Sequence, residues 1–349
     1  MPGGPAFVEA LQRAWDDGDA VLPVDPRLPQ PAIDRLLTSM RPDEPVEDGD
    51  ALVVATSGTS GEPKGVVLTH DAIAASAVAT SARLSVDPAT DRWLACLPLA
   101  HVGGLAVVTR ALVTGTPLVV HDGFDAAAVA RTAASDGVTL VSLVATALRR
   151  VDASLFRVVV LGGAAPPDDA PPNAVTTYGM TETGSGVVYD GVPLDGVDVR
   201  ISSTGEILLR GPMLLRSYRD GTDPKDADGW FATGDLGEID DRSGRLRVFG
   251  RSGDLIITGG ENVWPEPVEA ILSELPGVAD VTVVGRDDDE WGQRVVAVVV
   301  PSDATRLPTI EALRAAVKER IGPWAAPRAV EFVDAIPRTA LGKPRRREL

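Results

Sequence analysis

Between Ala51 and about Tyr178, short apolar runs (ALVVAT, RWLACL, PLVVH, VTLVSLV, RVVVLGG) alternate with Ala-rich stretches of helical period, Asp71 to Leu84 and Asp125 to Ser135. That alternation predicts a largely parallel sheet covered by helices. From Gly191 to Gly250 the runs shorten and turn residues bound them, as in GEILLRG, GDLGEID and GRLRVFG, which predicts a small antiparallel or barrel-like subdomain. After Arg251 come a strand DLIIT, a helix opened by Pro265 and reaching Leu275, strands DVTVVG and RVVAVVV, a helix from Thr309 to Ile321 and a strand near VEFV. The expected fold class is α/β. A large N-terminal domain, residues 1–250, has layered α/β sheets plus a small β subdomain, and a smaller mobile α+β C-terminal domain takes 251–349. Only the turn Gly250 to Gly253 joins them, a hinge rather than a tether.

With 349 residues, 44% of them hydrophobic, the chain can build two such cores without staples. A net charge of -17 sets it against nucleic acid, since no basic face outweighs that field along a phosphate backbone. Any anionic substrate must meet locally placed cations. The single Cys96 sits in an apolar run, so a disulfide framework and a cysteine metal site are excluded and a small core residue is the plain reading. The start, MPGGPAFVEALQRAWDDGD, has neither a basic n-region nor an apolar h-region, and nowhere do about 18 apolar residues run uninterrupted. A cytoplasmic protein without a membrane partner is expected.

The strongest local signal is TSGTSGEPKG, Thr56 to Gly65, placed after ALVVA and before the helical run near Asp71. Glycines and hydroxyls in a strand-loop-helix setting offer N–H and O–H donors to phosphate oxygens, and Lys64 adds charge. It is not a Walker A loop, because Lys64 follows Pro63 and precedes Gly65. YGMTETG, Tyr178 to Gly184, follows a strand and so lies at a carboxyl end, where open α/β sheets bind ligands. Tyr178 offers a flat face for a base, Thr181 a hydroxyl for a phosphate and Glu182 a hard oxygen for Mg²⁺. TGD, Thr233 to Asp235, supplies a carboxylate suited to ribose hydroxyls. GRSGDLIITGGENVWP, Gly250 to Pro265, joins the cation Arg251 to a Gly259-Gly260 pair that lets a thin ligand pass close to backbone. Near the end, PRTALGKPRRREL holds Lys343 on a Pro/Gly-rich segment, and Arg345 to Arg347 read as a solvated basic tail. Taken singly, most of these are compatible with polar turns.

In this order and at these separations, the motifs resemble those of the adenylate-forming superfamily of acyl-CoA synthetases, luciferases and peptide-synthetase adenylation domains, from about Asp50 to Lys343. The resemblance implies that family's fold and roles. Thr56, Ser57, Gly58, Thr59, Ser60, Gly61 and Lys64 would hold the β- and γ-phosphates of ATP, Thr181 the α-phosphate, Glu182 the Mg²⁺, and Asp235 with Arg251 the ribose. Gly162, Gly163 and Ala164 would form the adenine loop against Tyr178, Gly179 and Met180. Lys343 matches the lysine that neutralises charge between attacking carboxylate and α-phosphate, and the strand Gly259, Gly260, Glu261 and Asn262 would line the path of coenzyme A. The family's C-terminal domain turns between the two half-reactions, about Gly253 here, where a charged residue usually stands.

LPLAHVGGL matches the family's acyl-pocket segment, with His101 as gate and catalytic-site residue and Val102, Gly103 and Gly104 as lining; Thr146 lies nearby by analogy. Without the match, His101 reads as a buried, hydrogen-bonded histidine. The short stretch before AVLPVDPRLP, together with VSLVATALRRV and YDGVPLDGVDVRI, resembles the actinobacterial o-succinylbenzoate:CoA ligases of menaquinone biosynthesis, although Ala145 stands where a proline is usual. That resemblance implies o-succinylbenzoate as substrate and ATP, Mg²⁺ and coenzyme A as cofactors. Partners would be that small molecule and, at most, further copies of the chain as a homo-oligomer. Two alternatives stay open: a ligase for another aromatic or short acid, and a catalytically silent acyl-adenylate-binding paralogue. No carrier-protein domain is expected after Leu349.

Overall fold

The computed structural model describes residues 3–57, 63–163, 169–338 and 344–349, with backbone alone at 57 and 347. Helices α1 (Pro5–Asp16) and α2 (Gln30–Met40) each carry a proline in the first turn, where a missing N–H leaves no bond unmade. Strands β1 (Asp50–Ser57) and β2 (Pro63–Thr69) lead into α3 (His70–Arg83), capped by the Thr69 hydroxyl, which accepts from the Ala72 N–H at 3.1 Å. Then β3 (Trp93–Ala95), α4 (Val102–Thr114), β4 (Leu118–Val120), α5 (Ala126–Ser135), β5 (Leu140–Leu143), α6 (Ala145–Leu148), β6 (Val158–Leu161) and β7 (Ala174–Gly179) alternate as the pattern predicts. The texture change brings β8 (Gly186–Tyr189), β9 (Val192–Pro193), β10 (Asp198–Ile201), β11 (Glu206–Arg210), β12 (Ser217–Tyr218), β13 (Phe231–Ile239) and β14 (Leu246–Arg251). The last stretch holds β15 (Ile256–Thr258), β16 (Glu261–Val263), α7 (Pro265–Ser273), β17 (Val278–Asp288), β18 (Gly292–Pro301), α8 (Ile310–Arg320) and β19 (Ala329–Phe332).

The main sheet has the order β4-β3-β5-β6-β7-β8-β9, parallel from β4 to β7 and antiparallel at β7-β8-β9. Its central strands are apolar on both faces because both faces are covered. Leu94, Val141, Leu143 and Val159 pack with Val129 of α5 and Phe156, and full burial of such a side chain contributes about 1.5–3 kcal/mol. A smaller sheet has the order β10-β11-β13-β14.

One expectation is corrected here. ALVVAT does not join the parallel sheet: β1 pairs antiparallel with β2, Val54 opposite Val66, and β12 extends the pair on the β2 side. The strand β2 therefore stands between the start of the Thr56 motif and the helix expected near Asp71, which opens at His70. A run as short as Val66–Leu68 carries no readable period, so only its long-range pairing reveals it as a strand.

The chain divides into two compact units, Met1–Arg200 with Leu208–Thr233 and Ile239–Leu246, and Ile201–Ile207 with Gly234–Glu238 and Arg247–Leu349. In the second, β16-β15-β18-β17 form an antiparallel sheet, β19 pairs parallel with β18, and α7 and α8 cover an apolar layer of Leu272, Val283, Ala297, Leu313 and Val317. The terminal basic cluster is a second correction. Arg346 is not solvated: its guanidinium is inserted among Asp254, Glu266 and Glu269, because three carboxylates gathered at one place require a cation. Among the described residues no helix is long and apolar enough to cross a membrane.

Candidate active site

Four of the expected segments leave the carboxyl ends of strands that are neighbours in the order β3-β5-β6-β7. His101 follows β3, Thr146 lies on α6 after β5, Gly162 and Gly163 follow β6, and Tyr178 to Glu182 end β7. At about 4.8 Å between strands these ends span roughly 15 Å, enough for a nucleotide and a small acid side by side. Ala164 lies outside the described residues.

Glycines at this edge meet tight approaches. A Cβ on Gly179 would come within 2.2 Å of the Ser185 carbonyl oxygen, and one on Gly162 within 2.8 Å of Thr177 Oγ1. After β7 the chain makes a single 3-10 turn, Thr181–Thr183, closed by the buried Thr183 hydroxyl, which accepts from the Met180 N–H at 2.9 Å. Glu182 is thereby fixed, and its Oε1 accepts from the Tyr218 hydroxyl at 3.1 Å. Tyr218 lies on β12 beside β2, and Lys64 Nζ sits 4.8 Å from the centre of its ring. The structure thus brings Lys64, Glu182 and a residue not expected from the sequence, Tyr218, into one cluster. Thr56 and Ser57 close β1, Thr56 opposite Lys64; Gly58, Thr59, Ser60 and Gly61 lie outside the described residues. Among the described residues no group of three or more His, Cys, Asp or Glu side chains is arranged to hold a metal ion by itself, and Glu182 is the carboxylate of this cluster.

His101 caps α4 by position and its Nε2 is buried without a hydrogen-bond partner. Burial pushes its pKa below the ordinary range, with Asp25 pulling it up and Arg27 down, so the ring is neutral at neutral pH. Gly104 is required by packing: a Cβ there would lie 2.6 Å from the carbonyl oxygens of Leu97 and Pro98. Val102 lines an apolar cavity together with Leu105, Ala106, Thr109, Arg110 and Gly184.

Arg110, one α4 residue never singled out in the sequence, is the unusual member. It is 3% exposed, its Nη2 donates to Ser185 Oγ at 3.1 Å, and its guanidinium lies over the Trp93 ring at 4.9 Å. Its Nε and Nη1 are buried and unpartnered, and it has no ion pair among the described residues. Burial pushes its pKa down, but a guanidinium stays charged. A buried cation with unpartnered donors is costly unless an acceptor reaches it, and Arg110 is one of the residues that line this apolar cavity. The sequence signal was one charge inside GGLAVVTRALV, an otherwise apolar helix.

In the second unit, Asp235 on β13 is 7% exposed and its Oδ1 lies 3.0 Å from Nε of Arg251 on β14. The pair expected to hold a ribose is thus brought together. Gly234, at φ +74°, leaves room for it, since a Cβ would stand 3.1 Å from Arg251 Nη1; its N–H donates to Glu206 Oε1 at 2.8 Å. Gly253 lies in a 3-10 turn, Ser252–Asp254. Gly259 and Gly260, at φ +60° and +84°, make the two-residue turn between β15 and β16, with Thr258 opposite Glu261. A Cβ on Gly259 would also meet the Trp291 ring at 2.6 Å, while Glu261 and Asn262 are exposed. Lys343 lies outside the described residues.

The chain matches the AMP-binding enzyme family over residues 8–219 and the AMP-binding enzyme C-terminal domain over residues 267–343. It is 41% identical over 369 aligned residues to a probable 2-succinylbenzoate–CoA ligase of Mycobacterium tuberculosis, covering 98% of this chain and 94% of that one. It is 37% identical to an indoleacetate–CoA ligase of Aromatoleum aromaticum, covering 84% of this chain and 66% of that one. Among solved structures it resembles o-succinylbenzoate CoA synthetase of Bacillus subtilis in complex with the acyl-adenylate intermediate OSB-AMP, with TM-score 0.81, 29% identity, and coverage of 97% and 80%. The same synthetase in complex with ATP and a magnesium ion gives TM-score 0.79, with 29% identity and coverage of 98% and 81%.

Proposed function

The chain belongs to the AMP-binding enzyme family, an AMP-forming acid-thiol ligase with the mixed α/β fold of adenylate-forming enzymes, and from this we propose that it is an o-succinylbenzoate–CoA ligase of menaquinone biosynthesis. It uses ATP, Mg²⁺ and coenzyme A. In the first half-reaction an oxygen of the succinyl carboxylate attacks the α-phosphorus of ATP. The bond to the bridging oxygen breaks, pyrophosphate leaves, and a mixed anhydride with AMP forms. In the second, the thiol attacks the acyl carbon and AMP departs with the electron pair of the broken C–O bond.

The residue roles belong to the same proposal. Thr56 to Gly61 and Lys64 hold the β- and γ-phosphates, Thr181 the α-phosphate, and Asp235 with Arg251, its ion-pair partner, the ribose. Gly162 to Ala164 and Tyr178 hold the adenine. Glu182, oriented by the Tyr218 hydroxyl, would hold the magnesium ion, which when bound neutralises phosphate charge. Lys343 neutralises what remains between carboxylate and α-phosphate. A neutral His101 gates the acid site as an uncharged wall. An ATP- and acid-binding domain over 1–250 and a mobile domain over 251–349, turning at Gly253 to exchange Lys343 for the Gly259 to Asn262 strand, complete the reading.

The observation that carries the substrate is Arg110. o-Succinylbenzoate keeps a second, aromatic carboxylate through both steps, and a buried guanidinium with two unpartnered nitrogens, Nε and Nη1, on a residue that lines the cavity supplies donors for it. An acid with a single carboxylate, such as indoleacetate, leaves those donors unpaired once its own carboxylate reacts, a penalty of up to about 10⁴- to 10⁵-fold. Pyrophosphate release over a panel of o-succinylbenzoate, benzoate, indoleacetate and octanoate, with and without coenzyme A, tests this. o-Succinylbenzoate should win by a large factor. Comparable turnover of octanoate or indoleacetate would sink the substrate, and no release with any acid would favour the silent paralogue.

A further inference from the structure

Lys343 belongs to residues 339–343, which lie outside the described residues, and the chain is tied down on both sides of them. Arg338 and Pro344 form a β-bridge, the Arg345 N–H donates to the Pro337 carbonyl at 2.8 Å, and Arg338 pairs with Asp280. At the far end Leu349 packs against Val284, Val296 and Val298, and its carbonyl accepts from Arg286 at 3.0 Å. These anchors fix the tail to the sheet. Arg346, three positions past the lysine, does something different. Its side chain is 12% exposed, Nη1 donates to Asp254 at 2.9 Å, Nη2 to Glu266 at 3.2 Å and to both oxygens of Glu269 at 2.9 Å, and Nε to the Val283 carbonyl at 3.2 Å. Asp254 immediately follows Gly253 in the 3-10 turn, and Glu266 and Glu269 lie in the first turns of α7.

We propose that Arg346 is a positioning residue for Lys343, locking the segment that carries the lysine to the turn at Gly253 and the start of α7, so that tail and turn move as one body. The inference rests on the reading of Lys343 as the adenylation lysine and Gly253 as the hinge. Its physical content is geometric. An ammonium on a long flexible stem acts on developing charge only if its Cα is held, and a misplacement of about 1 Å can cost about 10²-fold in rate. All three nitrogens of the guanidinium are engaged, so its orientation is fully determined, which a lysine at the same place would not achieve. The cluster is also tense. Three carboxylates share one cation, Glu266 Oε2 is buried without a partner, and burial raises the Glu266 pKa while Arg346 lowers it. Removing the arginine therefore strands carboxylates and risks unfolding, whereas Asp254→Asn weakens only the link to the turn.

The test uses the full chain and both half-reactions in single turnover: pyrophosphate release from ATP with o-succinylbenzoate, and thioester formation from the chemically synthesised adenylate with coenzyme A. Arg346→Met, Arg346→Lys, Asp254→Asn and Lys343→Ala are compared, each with its melting temperature. The expected result is adenylation slowed by about 10²-fold in Arg346→Met and by about tenfold in Asp254→Asn, while thioester formation is much less affected. Arg346→Lys should restore melting temperature better than adenylation rate. Equal loss in both steps, or an unchanged adenylation rate in a folded Asp254→Asn, would overturn the role. If Lys343→Ala separates the half-reactions and the Arg346 and Asp254 variants do not, the positioning fails alone. If Lys343→Ala does not separate them either, the reading of the lysine falls and takes this inference with it.

Discussion

Arg110 holds a buried positive charge whose contacts, the Ser185 hydroxyl and the Trp93 ring, include no counter-ion among the described residues. A buried charge without a counter-ion costs stability, and replacing it by an apolar residue of similar size is commonly neutral or stabilising. Arg110→Leu should therefore keep or raise the melting temperature while removing about 2–5 kcal/mol of o-succinylbenzoate recognition, read as kcat/KM against benzoate as reference. A fall in stability without loss of selectivity would assign the arginine to structure. Asp235 is the second residue whose chemistry is separable. Losing its charge-assisted hydrogen bonds to ribose should cost about 1.5–3 kcal/mol each, so Asp235→Ala should weaken ATP binding at least tenfold by calorimetry. Unchanged affinity would remove it from the ribose site. Both residues show what a sequence conveys at this scale. TGD stands out in the sequence as three consecutive residues, whereas Arg110 acquires its surroundings from Trp93 and Ser185, which only the fold brings to it.

At the scale of elements, local chemistry and long-range pairing divide in the same way. Helices announced themselves: Thr69, Asp125 and Thr309 accept from the Ala72, Ala128 and Ala312 N–H groups, and Pro265 opens α7. The Gly-Gly pair after DLIIT is a hairpin turn that requires two positive φ values. β2 was missed because its identity lies in its partner, β1, across an intervening segment. Gly179 illustrates how an element can also hold a site. Its absent side chain lets β7 and β8 close at the point where the chain turns into Thr181 and Glu182, and an alanine would displace the Ser185 carbonyl. Gly179→Ala should cost about 1–3 kcal/mol in denaturant unfolding and impair adenylation through the shifted glutamate. Full activity at wild-type stability would show that the strands can part there without consequence.

For the whole molecule, the two half-reactions make different demands on one chain, and the turn at Gly253 is where they would be reconciled. Gly253→Pro fixes φ near -65° and disfavours the helical conformation of Ser252, stiffening a turn of three residues. Thioester formation should suffer more than adenylation in single-turnover assays. Equal losses would mean misfolding, and no loss would move the hinge elsewhere. The amino-acid sequence by itself determined the class of fold, the order of elements in the C-terminal region and the motifs that mark the family, because periodicity, caps and Gly-rich turns are written in consecutive residues. It could not determine that β1 leaves the parallel sheet, that Tyr218 orients Glu182, that Arg346 is buried among acids, or that Arg110 lines a cavity. Those outcomes depend on the burial and electrostatic environment made by residues as far apart as 92 positions, as between Asp254 and Arg346, and a charge has no fixed meaning until its surroundings are known.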